Sequence, residues 1–169
     1  MTDDAVTLFT DGACENNPGR GGWAAILRTG TSEKTLSGGY RRTTNNRMEL
    51  RAVIEGLKAL HRPGLRVTVV SDSEYVTKAI SEGWLDRWAA KQFKKKDGFR
   101  ENSDLWIELR PLLAQHQVTM QWIRGHVGHP ENEACDQAAV SARAKPDLPI
   151  DEGYENPAGR LVALGETLL

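Results

Sequence analysis

The sequence predicts an α/β fold: one mixed five-stranded sheet, with three antiparallel strands and two parallel ones, flanked by helices on both faces. Short β-prone stretches separated by turn residues open the chain, a long helical periodicity follows, and strand-like and helical segments then alternate to residue 144. At 169 residues the chain is long enough for one well-cored domain and short for two. We therefore expect one domain over residues 1–144 and a C-terminal tail over residues 145–169.

The first three predicted strands are separated by turns rich in glycine, asparagine and proline and by the turn-prone segment RTGTSE. This spacing is typical of an antiparallel meander. The strands cover residues 6–10, 23–28 and 34–41.

A helix is predicted from Asn46, because apolar residues recur at three- and four-residue steps until Pro63 and Gly64 end the pattern. The β-branched run at residues 67–70 predicts a buried strand, and the connecting helix implies that it pairs in parallel. It ends at SDS, which can cap a following helix. The remaining elements are helices at residues 75–80, 84–90 and 105–113, a strand at residues 118–123 and a last helix with Pro130 in its first turn.

From Lys145 onward, three prolines and three glycines predict that regular structure ends. The apolar cluster LVAL lies near the terminus. We expect it to pack onto the domain rather than to bind a partner.

The composition indicates a protein without a membrane span, since no apolar run approaches the ~20 residues that a bilayer requires. The first residues, MTDDAV, lack the basic and apolar regions of a signal peptide, so we expect a cytoplasmic location. Cys14 and Cys135 lie far apart without C-x-x-C spacing, which is typical of reduced, core-filling thiols. The net charge of −1 gives no sign of a polyanionic partner, but residues 91–100, KQFKKKDGFR, hold five basic residues and one acid. This segment is called the basic handle below.

Four acidic residues occupy comparable places on the predicted elements. Asp11 ends the first strand, Asp72 ends the fourth, Glu49 lies in the first turn of the first helix, and Asp136 lies in the last helix. If strands one and four are neighbours, Asp11 and Asp72 lie side by side, and a helix packed across them can bring Glu49 close. Each also has an ordinary explanation: a capping arrangement with Asn46 for Glu49, a turn for Asp72, and a solvated helix position for Asp136. Clustered together, they would repel one another unless a cation neutralised them.

The ligand chemistry of this cluster favours a hard cation. Carboxylate oxygens without Cys or His between them suit Mg²⁺ or Mn²⁺ rather than zinc. Mg²⁺ keeps several waters and is usually completed by substrate phosphates, so the cluster indicates phosphoryl chemistry. Two such ions about 4 Å apart can activate a water and stabilise the leaving oxygen together.

Four segments in this order, TDGACENNPG, TTNNRMELRA, SDSEYV and GHVGHPENEACDQAA, resemble the motifs of type 1 ribonuclease H, of the bacterial kind. The resemblance covers roughly residues 6–144 and implies the ribonuclease H-like fold. It also implies that the chain cleaves the RNA strand of an RNA–DNA hybrid endonucleolytically, leaving a 5′-phosphate and a 3′-hydroxyl.

The resemblance also assigns the catalytic residues. Two Mg²⁺ ions are expected with substrate, and Mn²⁺ could substitute. His126 matches a family histidine that helps proton transfer or product departure, although an exposed loop histidine is the alternative, and His129 is expected to be structural. The metal-binding carboxylates of the family match Asp11, Glu49, Asp72 and Asp136.

For the RNA strand, the resemblance implies recognition of 2′-hydroxyls, the feature by which proteins distinguish RNA from DNA. The matching positions are Gly12, Cys14, Asn17, Asn45 and Asn46.

For the DNA strand, the resemblance implies a phosphate pocket at Arg42, Thr44 and Asn102. Trp84 and Trp88 match an aromatic channel for the backbone. For Trp106 and Trp122, core packing is the stronger expectation.

The basic handle matches a basic protrusion of the family whose contacts should be salt-sensitive. Ala89 and Ala90 stand where lysines often begin it, so the charge is carried by Lys94, Lys95 and Lys96. Glu74 stands where the family usually has glutamine, close to the metals and the RNA strand.

Two other functions remain open at this stage. One is a resolvase- or exonuclease-like enzyme that acts on DNA with the same fold, and the other is a non-catalytic hybrid-binding module. Clustered carboxylates argue against the module, since a polyanion binder gains nothing from negative charge near its ligand. We expect the protein to be a monomer whose partner is an RNA–DNA hybrid. We expect neither membrane association nor an obligate protein partner.

Overall fold

The computed structural model describes residues 4–125 and 128–168, which fold into strands and helices in an order close to the predicted one. The strands are β1 (Ala5–Cys14), β2 (Gly19–Thr29), β3 (Ser32–Thr43), β4 (Arg66–Ser71), β5 (Lys94–Lys95), β6 (Gly98–Phe99) and β7 (Gln117–Trp122). The helices are α1 (Asn45–Lys58), α2 (Glu74–Ser81), α3 (Trp84–Ala90), α4 (Ser103–Ala114), α5 (Pro130–Arg143), α6 (Glu152–Glu155) and α7 (Pro157–Leu168).

Five of these strands form one sheet in the order β3-β2-β1-β4-β7. β1 is the central strand, antiparallel to β2 on one side and parallel to β4 on the other. β3 pairs antiparallel with β2, and β7 pairs in parallel with β4. The predicted fold class is therefore confirmed: a mixed sheet of three antiparallel and two parallel strands.

Helices cover both faces of the sheet, and each face has its own apolar cluster. The larger cluster holds Leu8, Val53 and Val69 together with Trp106, all fully buried, so core packing is confirmed for Trp106. The smaller cluster joins Ala24 and Ile26 of β2 to the buried residues of α5. Fully burying a side chain such as Leu8 stabilises the fold by about 1.5–3 kcal/mol. The sheet is thus a rigid frame that carries side chains at the ends of β1 and β4.

The two helices that follow β3 and β4 begin at hydroxyl caps. The Thr44 hydroxyl accepts a hydrogen bond from Arg47 N at 3.3 Å, so Thr44 caps α1 and the capping explanation through Asn46 is wrong. The Ser73 hydroxyl accepts from Val76 N at 3.1 Å, as the SDS segment predicted.

The C-terminal tail contains two helices, α6 and α7. The prediction that regular structure ends at Lys145 is therefore wrong. Pro157 is the first residue of α7, where its missing N–H costs nothing, and Asp151 precedes α6. The tail is fixed to the domain by Asp151, whose carboxylate is buried against Arg47 of α1. Leu164 of the LVAL segment is buried, whereas Val162 is exposed.

Along the parts of the chain that the structure describes, no helix combines the length and apolar character that crossing a bilayer demands. Both cysteines are free thiols, Cys135 buried and Cys14 half-buried.

Candidate active site

Asp11 lies on β1 just beyond the point where its partner β4 ends. The parallel pairs run from Ala5–Arg66 to Phe9–Val70, whereas β1 continues to Cys14 against β2 alone. Asp11 is therefore inside the strand rather than at its end, and the neighbouring edge is open because β4 has stopped. Alternation along the strand puts Asp11 on the same face as Ala13, which packs against α5.

Gly12 faces the other side, where α1 crosses the strand. A Cβ at this position would lie 2.6 Å from Glu49 N and 2.8 Å from the carbonyl carbon of Met48, so only glycine allows this approach. The close crossing brings Glu49 to the buried end of β1. Glu49 is the fifth residue of α1, so the prediction that it lies in the first turn of the helix is wrong. Gly12 N also donates to Asp11 Oδ1 at 2.9 Å.

Asp72 follows β4 and is held at the same edge. Ser73 N donates to the Ser71 hydroxyl at 3.0 Å, and Trp122 Nε1 donates to the Asp72 carbonyl at 3.1 Å. Trp122 is 45% exposed, so the core-packing prediction for it is wrong. It is the last residue of the edge strand β7, and its indole braces the backbone of Asp72 instead.

The three carboxylates converge, as the predicted strand neighbours required. One oxygen from each of Asp11, Glu49 and Asp72 lies within 4.8 Å of the others. Asp136 of α5 lines the same open pocket, of about 430 Å³, but is outside the tight group.

Proximity and burial perturb the ionisation of this group. Burial and then the charge of Asp72 raise the pKa of Asp11 to about 7. Burial, followed by the charges of Asp11 and Asp72, raises the pKa of Glu49 well above its usual value. The protein alone therefore does not stabilise three negative charges here, and a cation would.

The residues present fit a hard divalent cation. Glu49 Oε2 is buried and has no hydrogen-bond partner among the described residues, an unusual state that a metal ligand would explain. The group supplies oxygen ligands alone, which suits Mg²⁺ or Mn²⁺.

Most of the residues predicted to read the RNA strand lie around this pocket. Gly12, Cys14, Asn45 and Asn46 line it. Asn17 lies beside them, since its Oδ1 accepts from Asn45 N at 3.0 Å and so ties the loop after β1 to the start of α1.

Glu74 also lines the pocket, at the start of α2. Its carboxylate is exposed and 3.6 Å from Lys78 Nζ, which offsets part of the extra negative charge.

The three residues predicted to hold a DNA phosphate are only partly brought together. Thr44 and Asn102 line one pocket of about 520 Å³, together with Tyr154 of the tail. Arg42 lines a separate pocket with Glu155. The Asn102 amide is oriented at both ends, because Arg47 Nη1 donates to its Oδ1 at 3.4 Å and its Nδ2 donates to the Tyr75 hydroxyl at 3.3 Å.

The predicted aromatic channel and the basic handle are adjacent. The Trp84 and Trp88 rings lie 6.2 Å apart, and the Arg100 guanidinium lies 4.6 Å from the Trp88 ring centre. The handle is a two-stranded ribbon of β5 and β6. Its exposed basic side chains are Lys91, Lys94, Lys95 and Lys96.

His126 lies outside the described residues. Sequence reasoning missed several lining residues, among them Tyr75 and Arg143 in the carboxylate pocket and Tyr154 of the tail in the second pocket. Arg143 follows Asp136 by seven residues, or two helical turns, and that spacing is the signal that could have placed both on one face.

A larger groove of about 700 Å³ lies elsewhere, among α2, α3 and α4. Its two charged residues, Asp86 and Arg110, pair with each other at 3.6 Å, and the rest of its lining is apolar. The chemistry therefore centres on the carboxylate pocket.

Comparison with known proteins agrees with this geometry. A family model described as RNase H matches residues 3–144. A ribonuclease H of Nitratidesulfovibrio vulgaris (strain DP4) is 50% identical over 155 residues, which cover 91% of this chain and 99% of that protein. A ribonuclease H of Cupriavidus pinatubonensis is 54% identical over 135 residues, 79% of this chain and 92% of that one. The crystal structure of LC9-RNase H1, a type 1 RNase H with the type 2 active-site motif, superposes with a TM-score of 0.75 at 31% identity, covering 98% of this chain and 85% of that one.

Proposed function

The chain belongs to the RNase H family, and from this premise we propose that it hydrolyses the RNA strand of RNA–DNA hybrids endonucleolytically, leaving 5′-phosphate and 3′-hydroxyl ends. The observation that carries the proposal is the convergence of the Asp11, Glu49 and Asp72 carboxylates at the edge where β4 ends. Such a cluster is costly for a simple binding protein and useful for an enzyme that works on phosphodiesters.

Two divalent cations, Mg²⁺ or Mn²⁺, would be held by the four carboxylates. Asp11 and Asp72 would serve both ions, and Glu49 and Asp136 would each help to hold one of them. When bound, the ions neutralise the cluster, activate a water and stabilise the leaving oxygen. The rigid strand under Asp11 and the close crossing at Gly12 keep the ligands in place before substrate arrives.

The surroundings of the pocket support a hybrid substrate. Cys14, Asn17, Asn45 and Asn46 offer donors and acceptors to 2′-hydroxyls of an RNA strand beside the carboxylates. Thr44 and Asn102 offer a second polar pocket for the backbone of the DNA strand.

The basic handle extends the binding surface beyond these pockets. Its exposed lysines would attract the phosphates of either strand without reading sequence. We propose a monomeric enzyme in the cytoplasm, and the hybrid alone as its necessary partner.

An end-labelled hybrid provides the test, compared with single-stranded RNA, duplex RNA and duplex DNA, each with and without divalent metal. We expect cleavage of the RNA in the hybrid alone, loss of cleavage in chelator and recovery with Mg²⁺. Extension of the products by a polymerase detects the 3′-hydroxyl. Cleavage of duplex DNA in parallel would favour a resolvase- or exonuclease-like enzyme.

The matched variant is Asp11→Asn, which keeps the shape of the side chain and removes its charge. It should abolish cleavage and retain hybrid binding. Cleavage at the wild-type rate by Asp11→Asn would refute the assignment, and binding without cleavage by the wild type under every metal condition would favour the binding module.

A further inference from the structure

The carboxylate pocket is strongly acidic, and this creates a problem for a nucleic-acid substrate. Five carboxylates line it, whereas Arg143 is the only basic residue among the described residues that do. Cations at the cluster would neutralise charge near the cleaved phosphate. The neighbouring phosphates of the same strand would still face the acidic rim.

Arg143 lies on the same helix as the proposed metal ligand Asp136, but at the other end of this pocket. Asp136 and Arg143 are seven residues apart on α5, so they share a face and are separated by about 10 Å along the axis. The guanidinium therefore belongs to the same pocket as the carboxylates but is displaced along α5 from Asp136.

Arg143 lies beside Cys14, because both line the pocket and Arg143 Nε is 3.8 Å from Oε1 of Glu15, the residue that follows Cys14. Burial raises the pKa of the Cys14 thiol, and the positive charge of Arg143 is among the influences that oppose the increase. Arg143 is therefore beside the residues that would contact 2′-hydroxyls of the RNA strand.

The guanidinium is available for a ligand. Its acidic partner among the described residues is Glu15, at 3.8 Å through a single Nε–Oε1 approach, and Glu15 is 51% exposed. In contrast, Arg47 forms two short bidentate pairs. The backbone of Arg143 is well anchored, since its carbonyl accepts from Arg20 Nε at 3.2 Å. Arg143 thus combines an anchored backbone with a guanidinium that has one long ion pair. Such a guanidinium suits a phosphate, which arginine binds through paired N–H groups.

We propose that Arg143 binds a phosphate of the RNA strand close to the cleaved one, and that Glu15 tempers its affinity. This inference rests on the proposed hydrolysis of hybrids and adds a phosphate-binding residue to it. The positive charge of Arg143 reduces the repulsion between the acidic residues of the pocket and those phosphates that are too far from the bound metal to be neutralised by it.

Steady-state cleavage of a hybrid and the salt dependence of hybrid binding test the proposal. Arg143→Gln should raise KM about tenfold with kcat within about twofold, because the contact is made equally in the ground and transition states. In Arg143→Gln, the plot of log K for hybrid binding against log salt concentration should become less steep, by about one unit of slope. Arg143→Lys should keep most of the slope and lose part of the affinity, since it retains the charge without the fork.

Two further variants separate phosphate binding from a structural role. Glu15→Gln should lower KM, because it releases Arg143 and removes a negative charge from the rim. If the ion pair were merely structural, Glu15→Gln and Arg143→Gln would both raise KM. The matched control is Arg62→Gln, an exposed arginine paired with Asp4 before the start of β4, which should behave as wild type.

Equal KM and equal salt slope for Arg143→Gln and Arg62→Gln would overturn the inference while hybrid cleavage by the wild type still stood. Absence of cleavage by the wild type would instead overturn the proposed function. If Arg143→Gln fails to fold by circular dichroism, then Arg143→Lys and Glu15→Gln decide the matter through their opposite effects on KM.

Discussion

Replacing Asp151 with alanine should lower the free energy of unfolding by about 3–5 kcal/mol, because it leaves a buried arginine short of a partner. The Asp151 carboxylate accepts from Arg47 Nε at 2.8 Å, from Arg47 Nη2 at 3.0 Å and from the Thr43 hydroxyl at 2.7 Å. Arg47 is 2% exposed, so water cannot take over these bonds. Asp104 would remain as the other carboxylate on Arg47, at 2.7 and 2.8 Å.

Urea unfolding followed by circular dichroism measures the loss. The melting temperature should fall by about 10 °C, at roughly 2–4 °C per kcal/mol for a chain of this size. The control is Asp147→Asn in the same tail, which is exposed and has a φ of 58° that asparagine tolerates. It should change the free energy of unfolding by less than about 0.5 kcal/mol.

The effect should also depend on pH in a defined direction. Burial opposes ionisation of Asp151, but hydrogen bonds and charge from Arg47 outweigh it and hold its pKa below the usual 3.8. The carboxylate therefore stabilises the fold above about pH 4 and loses this contribution as the pH falls through its lower native pKa. A loss below about 1 kcal/mol at pH 7, or a difference between wild type and Asp151→Ala that does not shrink in acid, would refute the reasoning.

Three further predictions concern the site. The native pKa of Asp11, about 7 against 3.8, means that metal-free protein loses stability as the pH rises from about 4 to 7. In urea unfolding at pH 8 without metal, Asp11→Asn should therefore be more stable than wild type by up to about 4 kcal/mol. Gly12→Ala should lower stability by about 2 kcal/mol or more and reduce activity, since the added Cβ would lie 2.6 Å from Glu49 N. Replacing Lys95 and Lys96 with glutamine should reduce the salt slope of hybrid binding by about two and leave kcat nearly unchanged.

Each of these has a control in the chain. Saturating Mg²⁺ should erase the advantage of Asp11→Asn, and an advantage that persists at pH 4 would contradict the electrostatic explanation. Gly165→Ala in α7, where a Cβ meets nothing within 4 Å, should be neutral or stabilising. The pair Lys34→Gln and Lys58→Gln removes the same charge from elsewhere on the surface and should leave the salt slope unchanged.

The sheet and the convergence of the carboxylates could be predicted from the sequence, because both depend on local patterns. The runs of β1 and β4 each lead to an aspartate, and the connecting helix requires a parallel pairing that places those aspartates at one edge. The tail was not predictable in this way. Its prolines and glycines are typical of segments without helices or strands. Its packing onto the domain depends on an ion pair between Arg47 and Asp151, which are 104 residues apart.

Two tryptophans illustrate the same limit within the domain. Trp106 lies on the buried side of α4, in agreement with the core-packing expectation. The position of Trp122 depends on β7 being the edge strand and on where β4 stops, and neither is encoded near residue 122. Its role in bracing Asp72 emerges from the sheet as a whole.

The half-exposed indole of Trp122 also gives the protein an internal optical reporter. Its Nε1 donates to the backbone carbonyl of Asp72, one of the three clustered carboxylate residues, while its side chain is partly exposed to solvent. Tryptophan emission responds to charge and polarity at the ring, so the intensity and wavelength of light from this one side chain should follow the filling of the site without an added label. The chain has four other tryptophans, Trp23, Trp84, Trp88 and Trp106, so the difference between the emission of the wild type and that of Trp122→Phe isolates this signal.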